Sequence, residues 1–278
     1  MLKVGVIGLG YWGSILYKSL SKNENYTITK ICGRDNSEYD QNIFTYNDED
    51  VIKSDVDLVI VSTQTKHHYK HIISALKNDK HVFVEKPICL TISESEEVIK
   101  LAKEKNKLLF VDHIYSTNPY VLKIKEILSD DKTELEKYKS SRLNEKCKLF
   151  DTSIIENLMY HDFYVADILI DNFDFYLKNI TINHTPFEYC SLKIGPINFI
   201  SSYRDKKTRL LEIKTGKNEI VWDELSGVIK NNGNEIYVDV KQDNINYKFD
   251  DIYNKIKNNS DDNSKDVSLE ILKIINNL

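Results

Sequence analysis

Cysteine is scarce in this chain, with 4 in 278 residues. Cys32, Cys89, Cys147 and Cys190 lie far apart and form no C-x-x-C. That spacing excludes a zinc-finger-like site and a disulfide scaffold, and it fits reduced thiols in a cytoplasmic protein. No metal site is expected. An excess of one charge is also lacking: 38 Lys and Arg stand against 43 Asp and Glu, a formal net charge of −5. Nothing therefore points to nucleic acid or a membrane surface as partner. Long apolar runs are missing too, and none approaches the roughly 20 residues of a membrane span. The opening MLKVGVIGLG passes straight into a strand pattern and holds no signal-peptide core. Glycine is sparse, 9 in all, yet Gly8, Gly10 and Gly13 crowd into one short stretch.

What is present is enough apolar residue, 41%, for a real core. The length suits one large or two ordinary domains. Leu2–Ile7 reads as a strand buried on both faces, and a helical pattern runs to about Leu20. Strands at Thr27–Cys32, Val56–Val61, His81–Val84 and Leu108–Val111 alternate with helices at His68–Leu76 and Glu94–Lys105. This alternation predicts an α/β Rossmann domain with a doubly wound parallel sheet over residues 1–116. The remainder, 117–278, reads as an α+β domain with a large, mostly antiparallel open sheet. It has helices near Tyr120–Leu128 and Ile154–Ile170, a strand near Leu135–Arg142, and strand-like sequence from Leu177 to Phe249. Lys257–Lys265 reads as a polar surface loop, and Val267–Leu278 as an amphipathic helix that packs back on the first domain.

Gly8-Leu9-Gly10-Tyr11-Trp12-Gly13 matches G-x-G-x-x-G between a strand and a helix, the context in which the motif binds a dinucleotide. Gly8 allows the tight turn, Gly10 admits the pyrophosphate, and Gly13 lets helix pack on strand. An NAD site carries an acid about 20 residues further on. Here the string is Cys32-Gly33-Arg34-Asp35, in which glycine replaces the acid and Arg34 offers a cation to a 2′-phosphate. NADP is favoured on this ground, with NAD kept open by Asp35. Tyr11 and Trp12 in the loop, Ser62 and Thr63 after the third strand, and Glu85 with Lys86 after the fourth are expected to line the cofactor.

His81–Val84 ends abruptly in Glu85-Lys86-Pro87. Ligands of doubly wound sheets bind beyond the carboxyl ends of the strands, so Lys86 can project into the cofactor crevice as a general acid or base. Pro87 stops the strand and restricts Lys86. The competing reading is a surface lysine paired with Glu85.

Together GLGYWG at 8–13, STQTKHH at 62–68 and HVFVEKP at 81–87 resemble the glucose–fructose oxidoreductase/inositol dehydrogenase (Gfo/Idh/MocA) family. The resemblance implies that Lys86 is the main catalytic residue. It places His68 at a frequent family histidine, expected to pack beside the cofactor more than to do chemistry. Gln64 departs from the usual proline. In the second half, SSRLN at 140–144 and ENLMYHDFYV at 156–165 resemble a branch acting on nucleotide-linked or related sugars. The family pattern Asp-x-x-x-His falls on Asn157 and His161, which share a helix face. An amide cannot act as carboxylate base, so the burden shifts to Lys86 and His161. Tyr115, Arg142 and Asn144 are candidate substrate contacts, although each can equally serve the sheet. Asp162 reads as structural. The resemblance implies hydride transfer to or from a sugar or cyclitol, and a homodimer or homotetramer that covers an apolar face of the second sheet. Two alternatives remain: a nucleotide-binding module without catalysis, and a glycosidase of the same fold that uses NAD.

Overall fold

The computed structural model describes all residues except 36, 145–152, 171–172, 174–180, 186–187 and 278. Cys147 and the expected start of strand-like sequence at 177–180 lie outside the described residues. The chain forms two compact units. One is Met1–Ile114 with Gln242–Lys273; the other is Tyr115–Lys241 with Ile274–Leu278. This division differs from the expected 1–116 and 117–278 mainly in the long return segment.

In the first unit, β1 (Leu2–Ile7), β2 (Tyr26–Cys32), β3 (Phe44–Thr45), β4 (Leu58–Val61), β5 (His81–Val84) and β6 (Leu109–Val111) pair throughout in parallel, in the order β3-β2-β1-β4-β5-β6. That order reverses direction beside β1, the switch point where doubly wound sheets bind ligands. The helices are α1 (Tyr11–Leu20), α2 (Asp48–Ile52), α3 (His68–Lys77) and α4 (Ile92–Glu104). Alternation along β4 divides the core. Val59 and Val61 pack with Ile72, Leu76 and Val98 on one face, while Leu58 and Ile60 pack with Leu16, Leu20 and Phe249 on the other. A complete capping box of Thr91 and Glu94 starts α4, a device worth about 1 kcal/mol.

The expected strand-like run to Phe249 is corrected. Strands end by Ile236, and Asn244–Asn258 is a helix. Its signal was an Asp243 N-cap followed by Ile245, Phe249, Ile252, Tyr253 and Ile256 at helical spacing. The expected surface loop at 257–265 is corrected too, because Asp262, Ser264 and Lys265 are buried. They lead into the last helix, Ser264–Asn276. Ser264 Oγ accepts from the Val111 N–H at 2.9 Å and Ser264 O faces His113 Nε2 at 3.2 Å. These contacts satisfy groups at edge strand β6. Burial, more than any neighbouring charge, pushes the His113 imidazole down to about 3, so the ring is neutral and donates from Nε2.

In the second unit, α5 (Pro119–Ser129) and α6 (Tyr160–Leu169) accompany β7 (Leu135–Leu143), β8 (Thr181–Thr185), β9 (Tyr189–Ile194), β10 (Ile197–Ser202), β11 (Thr208–Thr215), β12 (Glu219–Asp223), β13 (Val228–Asn231) and β14 (Asn234–Ile236). The sheet order is β14-β13-β12-β11-β7-β10-β9-β8, antiparallel except for β7 with β10. Phe163 of α6 meets Phe199 of β10 edge to face at 5.0 Å. The expected uninterrupted helix at 154–170 instead opens with a π-helical turn, Ile155–Met159. On this sheet Lys137 and Lys139 pair with Glu212, at 2.8 and 3.5 Å. Among the described residues, no helix is long and apolar enough to cross a membrane.

Candidate functional site

A cavity of about 820 Å³ opens at the carboxyl ends of β1, β2, β4 and β5 in the first unit. Its volume falls in the range of small-molecule and cofactor pockets. The glycine loop forms one wall. Gly8 has φ +95°, and a Cβ there would stand 2.4 Å from the Ser62 carbonyl oxygen. A Cβ on Gly13 would stand 1.9 Å from Gly8 O. At Gly10 nothing lies within 4 Å of a Cβ position. So two glycines are required by packing, and the third keeps an approach open. Gly10 is also the N-cap of α1 and supplies no side-chain cap, so the first-turn N–H groups remain available to an anion. This cradle fits a dinucleotide pyrophosphate. Tyr11, Trp12, Ser62 and Thr63 all line the same cavity, as do Glu85 and Lys86.

Gly33, Arg34 and Asp35 reach it at the end of β2. Arg34 is exposed, and Asp35 Oδ1 accepts the Ser37 N–H at 2.9 Å. Sequence reasoning missed a neighbouring group. Asp48 accepts from His71 Nε2 at 2.7 Å and from Lys70 Nζ at 2.9 Å, with Asp48 and His71 both on the cavity wall. Burial would raise the Asp48 carboxyl, but Lys70 and His71 outweigh it and hold it at about 2. The signal was available: in the NDED string at 47–50, Asn47 caps a short helix whose first turn is Asp48, Glu49 and Asp50, and a histidine follows on α3.

Lys86 follows β5, with a cis Lys86–Pro87 peptide. His68 braces this turn. It is 1% exposed, with Nδ1 2.9 Å from Pro87 O and Nε2 3.1 Å from Thr63 O. Its position ties the turn after β4 to the turn after β5. Beside Lys86, the Glu85 carboxyl meets the carboxyl of Asp112 at the end of β6. Trp12 Nε1 donates to Asp112 Oδ2 at 3.0 Å. Burial first, then Asp112, raises Glu85 well above the usual carboxylate range. Burial raises Asp112 as well. Asp112 was absent from the sequence-derived site, although an acid closing a buried strand, as in LFVD, is the same anomaly as the lysine after HVFV.

In the second unit, Asn157 lies in the π-helical turn, and its Nδ2 donates to Tyr203 Oη at 2.7 Å. His161 lies at the start of α6, and its ring meets the Tyr115 ring edge to face at 5.8 Å. Tyr115 and Arg142 were candidate substrate contacts, but they are 2% and 6% exposed. Arg142 Nε donates to both oxygens of Asp162, at 3.0 and 3.1 Å. Arg142 Nη1 donates to Tyr115 Oη at 3.1 Å, and that hydroxyl donates to Glu224 at 2.7 Å. Ser140 Oγ completes the set on Asp162 at 2.7 Å. Burial alone would lower Arg142; Asp162, Tyr115 and Glu224 outweigh it and hold the guanidinium above its usual value. Asn144 follows β7 and donates its backbone N–H to Ser202 O at 2.7 Å. Burial raises the Asp162 carboxyl above its usual value, with Arg142 and Ser140 opposing that rise, and Glu224 is a member that sequence reasoning missed.

Residues 2–113 match the family model GFO_IDH_MocA, described as "Oxidoreductase family, NAD-binding Rossmann fold". An "Uncharacterized oxidoreductase" of Streptococcus pneumoniae is 34% identical over 134 residues, 46% of this chain and 36% of its own length. The scyllo-inositol 2-dehydrogenase (NADP(+)) IolW of Bacillus subtilis is 32% identical over 139 residues, 48% of this chain and 39% of its own length. The chain therefore aligns with little more than a third of these curated relatives. In fold it is similar to the UDP-N-acetylglucosamine 3-dehydrogenase GnnA from Acidithiobacillus ferrooxidans, with a TM-score of 0.83 at 16% identity, over 99% of this chain and 96% of that one.

Proposed function

We propose, on the match of residues 2–113 to the Gfo/Idh/MocA oxidoreductase family model, that the chain is an NAD(P)-dependent dehydrogenase or ketoreductase acting on a sugar or cyclitol. The observation that carries this reading is the glycine-cradled cavity with Lys86 on its wall. A bound nicotinamide would donate or accept the hydride. The residues of the chain position groups and handle the proton. Lys86 gives or takes the proton of the reacting hydroxyl, and a like charge close by would lower its pKa toward that task. His68 holds the Lys86–Pro87 turn against the turn at Thr63, so the ammonium is presented in one direction. His161 is assigned a second, assisting role on the resemblance alone. Asn157 is assigned hydrogen bonding and not proton abstraction, consistent with its amide already donating to Tyr203.

NADP is the proposed cofactor. Gly33 leaves no acid at the expected place, Asp35 is engaged by its own turn, and Arg34 lines the cavity. With NADP as reductant, the reaction runs toward reduction of a keto-sugar, nucleotide-linked substrates included. Assembly as a homodimer or homotetramer in the cytoplasm belongs to the same reading and is open to sedimentation analysis.

Fluorescence titration with NADPH and NADH, on the wild type and Arg34→Ala, tests the cofactor. The expected result is tighter NADPH binding that the variant weakens about tenfold, the scale of one charge-assisted contact. Preference for NADH with no effect of Arg34 overturns NADP, and binding of neither overturns the enzyme reading.

A further inference from the structure

We propose that Glu85 and Asp112 hold a single proton between them and act as positioning residues for Lys86, presenting it with one negative charge where two carboxylates stand. The argument begins with hydrogen-bond inventory. Glu85 Oε1 is buried and finds no donor among the described residues. What the Glu85 carboxyl meets is the Asp112 carboxyl, at hydrogen-bonding contact. Ionised carboxylates only accept, so two of them in contact are satisfied only when a proton lies between them. Trp12 settles which partner keeps the charge. Its indole N–H donates to Asp112 Oδ2, which favours the ionised form there and leaves the proton on Glu85.

The charged groups facing the pair are Lys86 on the Glu85 side and Lys248, buried on the helix Asn244–Asn258. His113, next in the chain, is neutral. Lys248 is itself faced by Asp262, Asp251 and Lys255, so the acid pair is not its sole counter-charge. Two negative charges beside Lys86 would hold its ammonium strongly and oppose proton release. One negative charge orients it and leaves it able to titrate. The statement about Lys86 rests on the proposed dehydrogenase reading; the statement that a proton is shared does not.

The test uses ¹⁵N-labelled full-length protein without cofactor and follows the Trp12 indole N–H resonance from pH 5 to 10. The resonance is identified by its absence in Trp12→Phe. The expected result is a titration midpoint well above the ordinary carboxylate value of about 4. In Glu85→Gln, whose amide donates to Asp112 and cannot titrate, the same resonance is expected to be flat over this range. A flat wild-type resonance, or an unchanged titration in Glu85→Gln, overturns the shared proton. The role toward Lys86 is read from the pH profile of turnover. Asp112→Asn, which removes the charge, shifts the Lys86 limb to lower pH, and Glu85→Gln, which keeps it, shifts the limb less. Equal shifts overturn the positioning role. If no sugar turns over, the dehydrogenase reading fails while the resonance still decides the proton.

Discussion

Both units bury charge, and they neutralise it by opposite means. In the first, two acids, Glu85 and Asp112, meet beside the cofactor cavity. In the second, Arg142 meets Asp162, with Ser140, Tyr115 and Glu224 closing the network. A buried unlike pair retains both charges because each stabilises the other. A buried like pair lowers its energy by keeping a proton. The first arrangement is titratable and lies by a cavity, which suits chemistry. The second is locked and suits holding α6 against β7.

The largest expected effect tests whether the first cluster serves catalysis. Lys86→Met should lower turnover about 10²–10⁴-fold, the usual range for losing a general acid or base, while NADPH binding changes by only a few fold. Parallel turnover and fluorescence measurements check this. The next effect belongs to the locked cluster. Asp162→Ala leaves Arg142 buried without its main counter-ion and should cost about 3–5 kcal/mol in urea unfolding, whereas Arg142→Met with Asp162→Leu should cost far less. Equal costs for the single and double variants would erase the contrast with the first unit.

A smaller effect is a pH slope. A folded-state pKa raised at Glu85 means that the folded protein holds a proton which the unfolded chain has released above about pH 4.3. The contribution is complete below that value and declines as pH rises, by up to about 1.4 kcal/mol per pH unit, until the folded pKa is passed. Glu85→Gln should remove this slope, as urea midpoints between pH 5 and 8 would show. The smallest effect concerns the cradle. Gly10→Ala meets no atoms within 4 Å, so stability should change by less than about 1 kcal/mol. Cofactor binding should weaken, because the added methyl stands where the pyrophosphate approaches.

Much of the first unit was legible from residue order. β1, β4 and β5 are short apolar runs, and the glycine spacing states its own geometry. The lysine after HVFV was visible because a cation at the end of a buried strand needs a reason. Asp112 escaped notice because its partner is 27 positions away, in register only through the β5–β6 pairing. Arg142 reads from sequence as either a substrate contact or a residue serving the sheet, with nothing to decide between them. Its real partners come from α6 and from the Glu224 that follows β12, and no local pattern announces them. The helix at 244–258 was misread because eight earlier strands, several with amphipathic alternation, made the tail look like more of the same.

The sequence by itself determined the dinucleotide-type strand–loop–helix, the parallel sheet and the family resemblance of Lys86, because each depends on spacing along a few residues. Only the tertiary structure decided which polar groups are buried together, and therefore which carry charge. Protonation depends on the distance between side chains and on the water they lose. Both are set by strands and helices that the chain order keeps far apart.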